Sequence, residues 1–136
     1  MIEIVTGPEV VSWVHARLPQ VGPHGFRDPK AMGIQRNGAP VAGIVFSSYS
    51  GHDMQLSIAS ESPLWCTRSV LREVFRFVFE TAGCLRCTAV TAKHNKRARS
   101  LLERLGFRRE GVHPLGFPDG STAISYGMTR QDCRWI

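Results

Sequence analysis

The sequence predicts one α/β domain, a central mixed sheet flanked by helices, and three observations carry that prediction. The chain has 136 residues, 43% of them hydrophobic and 21% charged, which suits a single folded domain with one core. Runs with strand periodicity alternate with runs of helical periodicity along the whole length. A strand–helix–strand unit over residues 53–92 supplies the one connection long enough to make two neighbouring strands parallel. No internal repeat interrupts this order, so residues 1–136 read as one domain.

Each element has its own signal. "IEIVT" (2–6) is a short strand. "PEVVSWVHARL" (8–18) starts on a proline suited to a first helical turn, and its spacing puts Val11, Val14, His15 and Leu18 on the inner side. The stretch 19–31, with three prolines and two glycines, reads as a loop with room for one helical turn. Asn37-Gly38 joins strands 32–36 and 40–48, the strongest short hairpin signal a sequence can carry. "DMQLSIAS" (53–60) alternates polar and apolar residues as a further strand. In the helix over 67–83, Val70, Leu71, Val74, Phe75 and Val78 face inward. "RCTAVTA" (86–92) is a buried-looking strand. After it, Ala98, Leu101, Leu102 and Leu105 form one helical stripe, capped by Asn95 and ended by Gly106. Residues 107–112 and 122–128 close the chain as two strands around "PLGFPDG".

Composition excludes some classes. No apolar run spans a bilayer, and "MIEIVTGPEV" lacks the basic start and apolar stretch of a signal peptide, so a cytoplasmic protein is expected. The four cysteines then read as reduced thiols. Cys84-x-x-Cys87 has ligand spacing, with His94 and His113 as possible partners, but no second pair matches it. Buried structural thiols are therefore expected there, and no metal. The formal charge of +6 favours anionic partners, whether phosphorylated cofactors, acidic surfaces or nucleic acid. Neither a helix-turn-helix nor an aromatic-studded single-strand platform is present to single out nucleic acid.

One segment goes further. "N-x-x-A-x-x-L-L-E-x-L-G-F-x-x-E-G", from Asn95 to Gly111, resembles the final motif of the GNAT family of N-acetyltransferases, and most closely its ribosomal-protein N-terminal acetyltransferase branch. The preceding "REVFRFVFETAGCLRCTAVTAKHN" and the closing "ISYGMTRQDCRW" resemble the same branch. The chain as a whole is similar to GNAT proteins encoded by phages and prophages. The resemblance covers roughly residues 30–136 and implies the acyl-CoA N-acyltransferase fold, with acetyl-CoA as co-substrate and a primary amine as acceptor. In this family two parallel strands splay apart and the pantetheine arm lies between them. By the resemblance, backbone amides near Ile58, Ala59 and Ser60 bind that arm and polarise the thioester carbonyl, and Asn95 contacts it.

The pyrophosphate loop departs from the family. "SPLWCTRS" (62–69) stands where the family has Q/R-x-x-G-x-G/A, with Pro63 and Trp65 in place of glycines. Proline donates no amide and tryptophan crowds the approach. The helix start can compensate, with amides from Cys66, Thr67, Arg68 and Ser69 and side-chain donors on Thr67 and Arg68. The tyrosine that many members use to protonate the departing thiolate aligns with Leu102, which leaves Ser100 as a weak substitute. Glu61, His52 and Asp53 border the fourth strand as candidates for a general base. His24, Phe26 and Arg27 lie on the loop where the family binds acceptor. Two functions compete: a transferase, and a non-catalytic module that binds nucleic acid or a protein through its basic surface.

Overall fold

The computed structural model describes residues 1–136. Its elements run β1 (Ile2–Val5), α1 (Pro8–Arg17), β2 (Lys30–Arg36), β3 (Ala39–Ser47), β4 (Gln55–Ser60), α2 (Arg68–Arg76), β5 (Arg86–Ala92), α3 (Lys96–Leu105), β6 (Arg108–His113) and β7 (Ala123–Thr129). All strands join one sheet in the order β1-β2-β3-β4-β5-β7-β6. Every neighbouring pair is antiparallel except β4 with β5. The expected single mixed-sheet α/β domain is therefore present, with boundaries within two residues of those read in the sequence, except that the regular part of the helix read over 67–83 ends at Arg76.

Local chemistry accounts for the connections. At the β2–β3 turn Asn37 and Gly38 both take positive φ, 54° and 79°, the pair of left-handed residues that a twisted two-residue hairpin demands. Gly106 ends α3 at φ 108°, and Asn95 starts it by accepting from the Ala98 amide at 3.0 Å. Thr67 caps α2 in the same way, accepting from the Val70 amide at 3.2 Å. Beyond Arg76 the helix widens over Phe77–Thr81, where the Ala82 amide reaches back to the Phe77 carbonyl at 2.8 Å. That wider turn keeps Val78 and Phe79 buried.

Helices cover both faces of the sheet. α2 and α3 lie over the main core, in which Ile44, Phe46, Leu56, Phe75, Phe79 and Phe107 are packed. α1 covers the other face with Val10 and Val14 against Val45 and Ala59. This corrects the face read from the sequence: Val10 is buried where Val11 was expected, because the helix sits down on two glycines of the sheet. A β-carbon on Gly43 would lie 2.5 Å from Val14 Cγ2, and one on Gly33 would lie 2.9 Å from Val10 Cγ2. Close approach, not hydrophobic count, sets the orientation of α1.

Cys84, Cys87 and Cys133 are buried thiols, and burial raises the pKa of each. No group of three His, Cys, Asp or Glu side chains is placed to hold a metal ion. No helix is long and apolar enough to cross a membrane.

The glycine contact sets the first prediction. Gly43→Ala forces α1 off the sheet and should destabilise the fold by about 1–3 kcal/mol, the usual cost of overpacking, read as a lower urea midpoint with an unchanged slope.

Candidate active site

The site begins where the sheet comes apart. β4 and β5 pair only at Gln55–Thr88 and Leu56–Ala89, although β4 continues to Ser60 and β5 to Ala92. The rest of β4 stays on β3, with Ile58 opposite Ile44 and Ser60 opposite Ala42. Amide directions alternate along a strand, and the Glu61 amide donates to Val41 of β3 at 2.9 Å. The amides of Ser57 and Ala59 therefore point to β3, while those of Ile58 and Ser60 point into the gap. Of the three residues singled out on this strand, Ile58 and Ser60 offer free donors there. Ala59 does not, since strand alternation turns its amide the other way.

One limb of the gap opens into a cleft of about 800 Å³. Its walls carry Arg17, Arg68, Arg97 and Arg104, and Glu61 is its one carboxylate. Glu61 pairs with Arg17 at 3.5 Å. The atypical loop forms one end. Ser62 accepts from the Leu64 amide at 3.2 Å and starts a tight helical turn over Pro63–Trp65. That turn carries the Trp65 side chain down into the core, leaving it 2% exposed as floor of the cleft. The amides of Cys66 and Thr67 are used inside the turn, on Pro63 and Trp65 carbonyls at 3.2 and 2.9 Å. Those of Arg68 and Ser69 have no backbone acceptor and form the open end of α2. The expected amide cradle of four is thus reduced to two. Cys66 lines the cleft with its thiol pushed up by burial and drawn partly back by the Arg104 charge.

At the lip stands a residue that sequence reasoning passed over. Trp135 lines the cleft, and its Nε1 donates to the Leu105 carbonyl at 2.8 Å. The Arg68 and Arg134 guanidiniums lie 5.7 and 4.7 Å from its ring centre. The sequence signal was a terminal aromatic flanked by arginine, with no spacing to connect it to α3.

The other limb encloses about 340 Å³ between β4, β5, α3, the loop after α1 and the β6–β7 loop. Phe26 and Arg27 line it, as expected of the loop 19–31, but His24 does not. Both limbs share Ile58, Asn95, Ala98 and Leu101, so they are two ends of one passage through the splayed strands.

Neither a family model nor a curated protein matches the sequence. Solved structures do match. A spermidine/spermine N-acetyltransferase, SpeG, from Vibrio cholerae superposes with TM-score 0.72 at 10% identity, covering 96% of each chain. A GNAT-family acetyltransferase from Bacillus anthracis gives 0.62 at 19% identity, over 74% of this chain. A chain known as a probable acetyltransferase gives 0.65 at 17%, over 76% of this chain. The present chain spans 66% and 63% of the length of those last two. It has the GNAT acetyltransferase fold.

Set in the GNAT fold, the expected site residues divide. Ile58, Ala59, Ser60, Glu61, Cys66, Arg68 and Asn95 all line the cleft. Thr67 and Ser69 adjoin it at the start of α2, with the Thr67 hydroxyl engaged as the helix cap. Ser100 is exposed on α3 and is not among the lining residues, although it lies one turn from Arg97 and from Arg104 at the edge of the side that meets the cleft. His52 and Asp53 are also displaced, because they precede β4 at the closed end of the sheet. There Asp53 accepts from the Thr88 hydroxyl at 3.0 Å and sits 3.7 Å from Arg86, while the His52 carbonyl accepts from the Leu85 and Arg86 amides. Leu102, at the tyrosine position, is buried.

Asn95 holds two positions at once, since its oxygen caps α3 and its side chain lines both limbs. Asn95→Asp keeps the accepting oxygen and removes the amide donor. It should hold stability while lowering acetyl-CoA affinity, whereas Asn95→Ala should also lose about 1 kcal/mol of folding. Paired urea melts and calorimetric titrations separate the two effects.

Proposed function

We propose that the protein is an N-acetyltransferase, taking acetyl-CoA as donor and a primary amine as acceptor. The observation that carries this reading is the β4–β5 ladder ending at Leu56–Ala89, which leaves the Ile58 and Ser60 amides unpaired in a passage open at both ends. A backbone that leaves donors unpaired along an enclosed cleft needs a ligand that accepts hydrogen bonds like a strand. The amide and carbonyl groups of a pantetheine arm suit that need. The charged limb suits a diphosphate: the open Arg68 and Ser69 amides lie at the positive end of α2, and four arginines line the walls. The lip formed by Arg68 and Trp135 lies at the nucleotide end of the same limb.

In the reaction the amine nitrogen bonds the acetyl carbon, the carbon–sulfur bond breaks, and the amine proton ends on the sulfur of coenzyme A. Ile58 and Ser60 are the donors placed to hold developing charge on the thioester oxygen. Asn95 spans the junction of the limbs and orients the arm. The two limbs bring donor and acceptor together from opposite sides, so proximity does much of the work. The Glu61–Arg17 ion pair fixes the wall beside Ser60. Losing the glycines of the phosphate loop is tolerated because Trp65 folds under the cleft floor and does not stand in it.

The direct test is thermal stability with acetyl-CoA. At a concentration about a hundredfold above the dissociation constant, stabilisation should reach ~2.7 kcal/mol. An unchanged melting temperature at millimolar acetyl-CoA would shift the weight to a non-catalytic module. Arg68→Ala should weaken acetyl-CoA by about 1.5–3 kcal/mol, the range for hydrogen bonds to charged groups, and leave a pantetheine fragment without diphosphate unaffected. Equal losses for both ligands would show that Arg68 acts through structure and not through phosphate.

A further inference from the structure

The acceptor limb contains no acid and no base. Its lining includes one charged side chain, Arg27, and no Asp, Glu, Lys or His. Arg27 takes part in none of the ion pairs of the structure. The rest of the wall is neutral and mixed, with apolar side chains such as Phe26, Leu56 and Phe117 beside the polar Gln20, Ser57 and Thr91. The other titratable groups on the surrounding elements, His24 and Asp28 of the same loop included, lie outside the lining. From α1, His15 stands behind Phe26, with Nε2 on the Gly22 carbonyl at 2.7 Å. On the β6–β7 loop, hydrogen bonds from Ser121 hold Asp119 in its charged form, below the usual carboxylate range, outside the lining. Asp28 adjoins Arg27 in sequence but does not line the limb. Glu61 lies in the other limb, on Arg17.

We propose that the acceptor is a weakly basic amine with no second cationic centre, so that polyamines and strongly basic alkyl amines are disfavoured. This rests on the acetyltransferase reading of the same site. An ammonium ion entering the limb would lose its hydration, meet no counter-charge and face Arg27. It also has no side chain there to take its proton, and only the neutral amine can attack. Selection therefore falls on the fraction of acceptor already neutral in solution. At pH 7.5 an α-amino group with pKa about 7.8 is about one-third neutral, whereas an alkyl amine near 10.4 is neutral in about one molecule per thousand. That gap of roughly 250-fold in neutral fraction is narrowed by the greater nucleophilicity of the more basic amine, so the preference in rate is smaller, and a carboxylate in the pocket would narrow it further. The contrast with the fold neighbour is chemical: a polyamine demands acidic side chains, and this limb has none.

The test is a release assay for the coenzyme A thiol, with acetyl-CoA binding first confirmed by thermal shift. The acceptors are phenylalaninamide, phenethylamine and spermidine. The first two share an apolar body and differ in basicity, and the third adds cationic centres. We expect kcat/KM for phenylalaninamide to exceed both others by at least about tenfold at pH 7.5. With phenethylamine, kcat/KM should climb nearly tenfold per pH unit from 7 to 9, with no plateau from a group on the protein. Gln55→Glu, which places a carboxylate in the lining, should narrow the preference. Spermidine or phenethylamine used as well as phenylalaninamide, or no amine acetylated despite bound acetyl-CoA, would overturn the inference. Failure of acetyl-CoA to bind is a separate result, seen before any amine is added, and would remove the underlying reading.

Discussion

The structure depends on a ladder that stops early. Two rungs join β4 to β5, and after Leu56–Ala89 the strands diverge while each keeps its other neighbour, β3 or β7. A sheet interior that gives up its hydrogen bonds is costly unless something else takes them. The closed end is accordingly reinforced. Thr88 donates to Asp53, Arg86 pairs with Asp53 and Glu110, and the Thr88 amide donates to the Met54 carbonyl at 2.9 Å. These bonds tie β4, β5 and β6 together just below the point of divergence. Hence Asp53 and His52 act as the hinge pin of the opening and not as its chemistry. α3 covers the open end with Ala98 and Leu101.

What could be read from the sequence follows from how local each feature is. Asn37-Gly38, Asn95 and Gly106 act within four residues of themselves, and each was legible because its effect is steric or a single hydrogen bond; Thr67, read as a phosphate donor, caps α2 instead. The inner face of α2 was legible for the same reason, as five apolar residues at helical spacing. The α1 face was not, because Gly33 and Gly43 on distant strands decide it. The splay of β4 was implied by resemblance, while the direction of each amide needed the register against β3. Trp135 shows the limit most clearly. It reaches α3 through one bond to Leu105, 30 residues back, and no spacing rule spans that distance. Ser100 marks a different limit: a helix turns 100° per residue, so a place in the motif leaves it at the edge of the lining, between Arg97 and Arg104 and exposed.

The charge of the chain takes on a local meaning in the cleft. Arg17 from α1, Arg68 from α2 and Arg97 and Arg104 from α3 converge on one limb with a single, already paired carboxylate. Three helices that share no sequence neighbourhood thus deliver the same sign of charge to one place. Residues 94–111 hold a dense run of basic side chains, and not all of them are free for a ligand. Arg99 is spent on the Lys93 carbonyl at 3.0 Å and the Tyr126 hydroxyl at 3.3 Å, so part of that run is structural. Low dielectric in a walled cleft makes the converging charges count for more than the same charges spread over an open face.

On the proposed acetyltransferase reading, the means of catalysis are unevenly distributed. A positioned acid or base contributes typically 10²–10⁴-fold, and the acceptor limb has neither. The position that would carry an acid holds buried Leu102, and the nearest phenol, Tyr126, is fully buried between Arg99 and Glu103 on the far side of α3. Two contributions survive. One is the pair of oriented amides at Ile58 and Ser60, which need no titrating group and so act alike across the pH range. The other is the passage itself, which holds two reactants at opposite mouths of one channel and removes the entropy of their encounter. Both depend on geometry fixed by the sheet. A thioester is already activated toward amines, so a site that supplies placement and an oxyanion contact can be sufficient, provided the amine arrives neutral. On that reading the constraint that opens the sheet and the proposed constraint on the acceptor have one origin: the gap supplies backbone donors and an acceptor limb without a carboxylate, and leaves the proton to solvent.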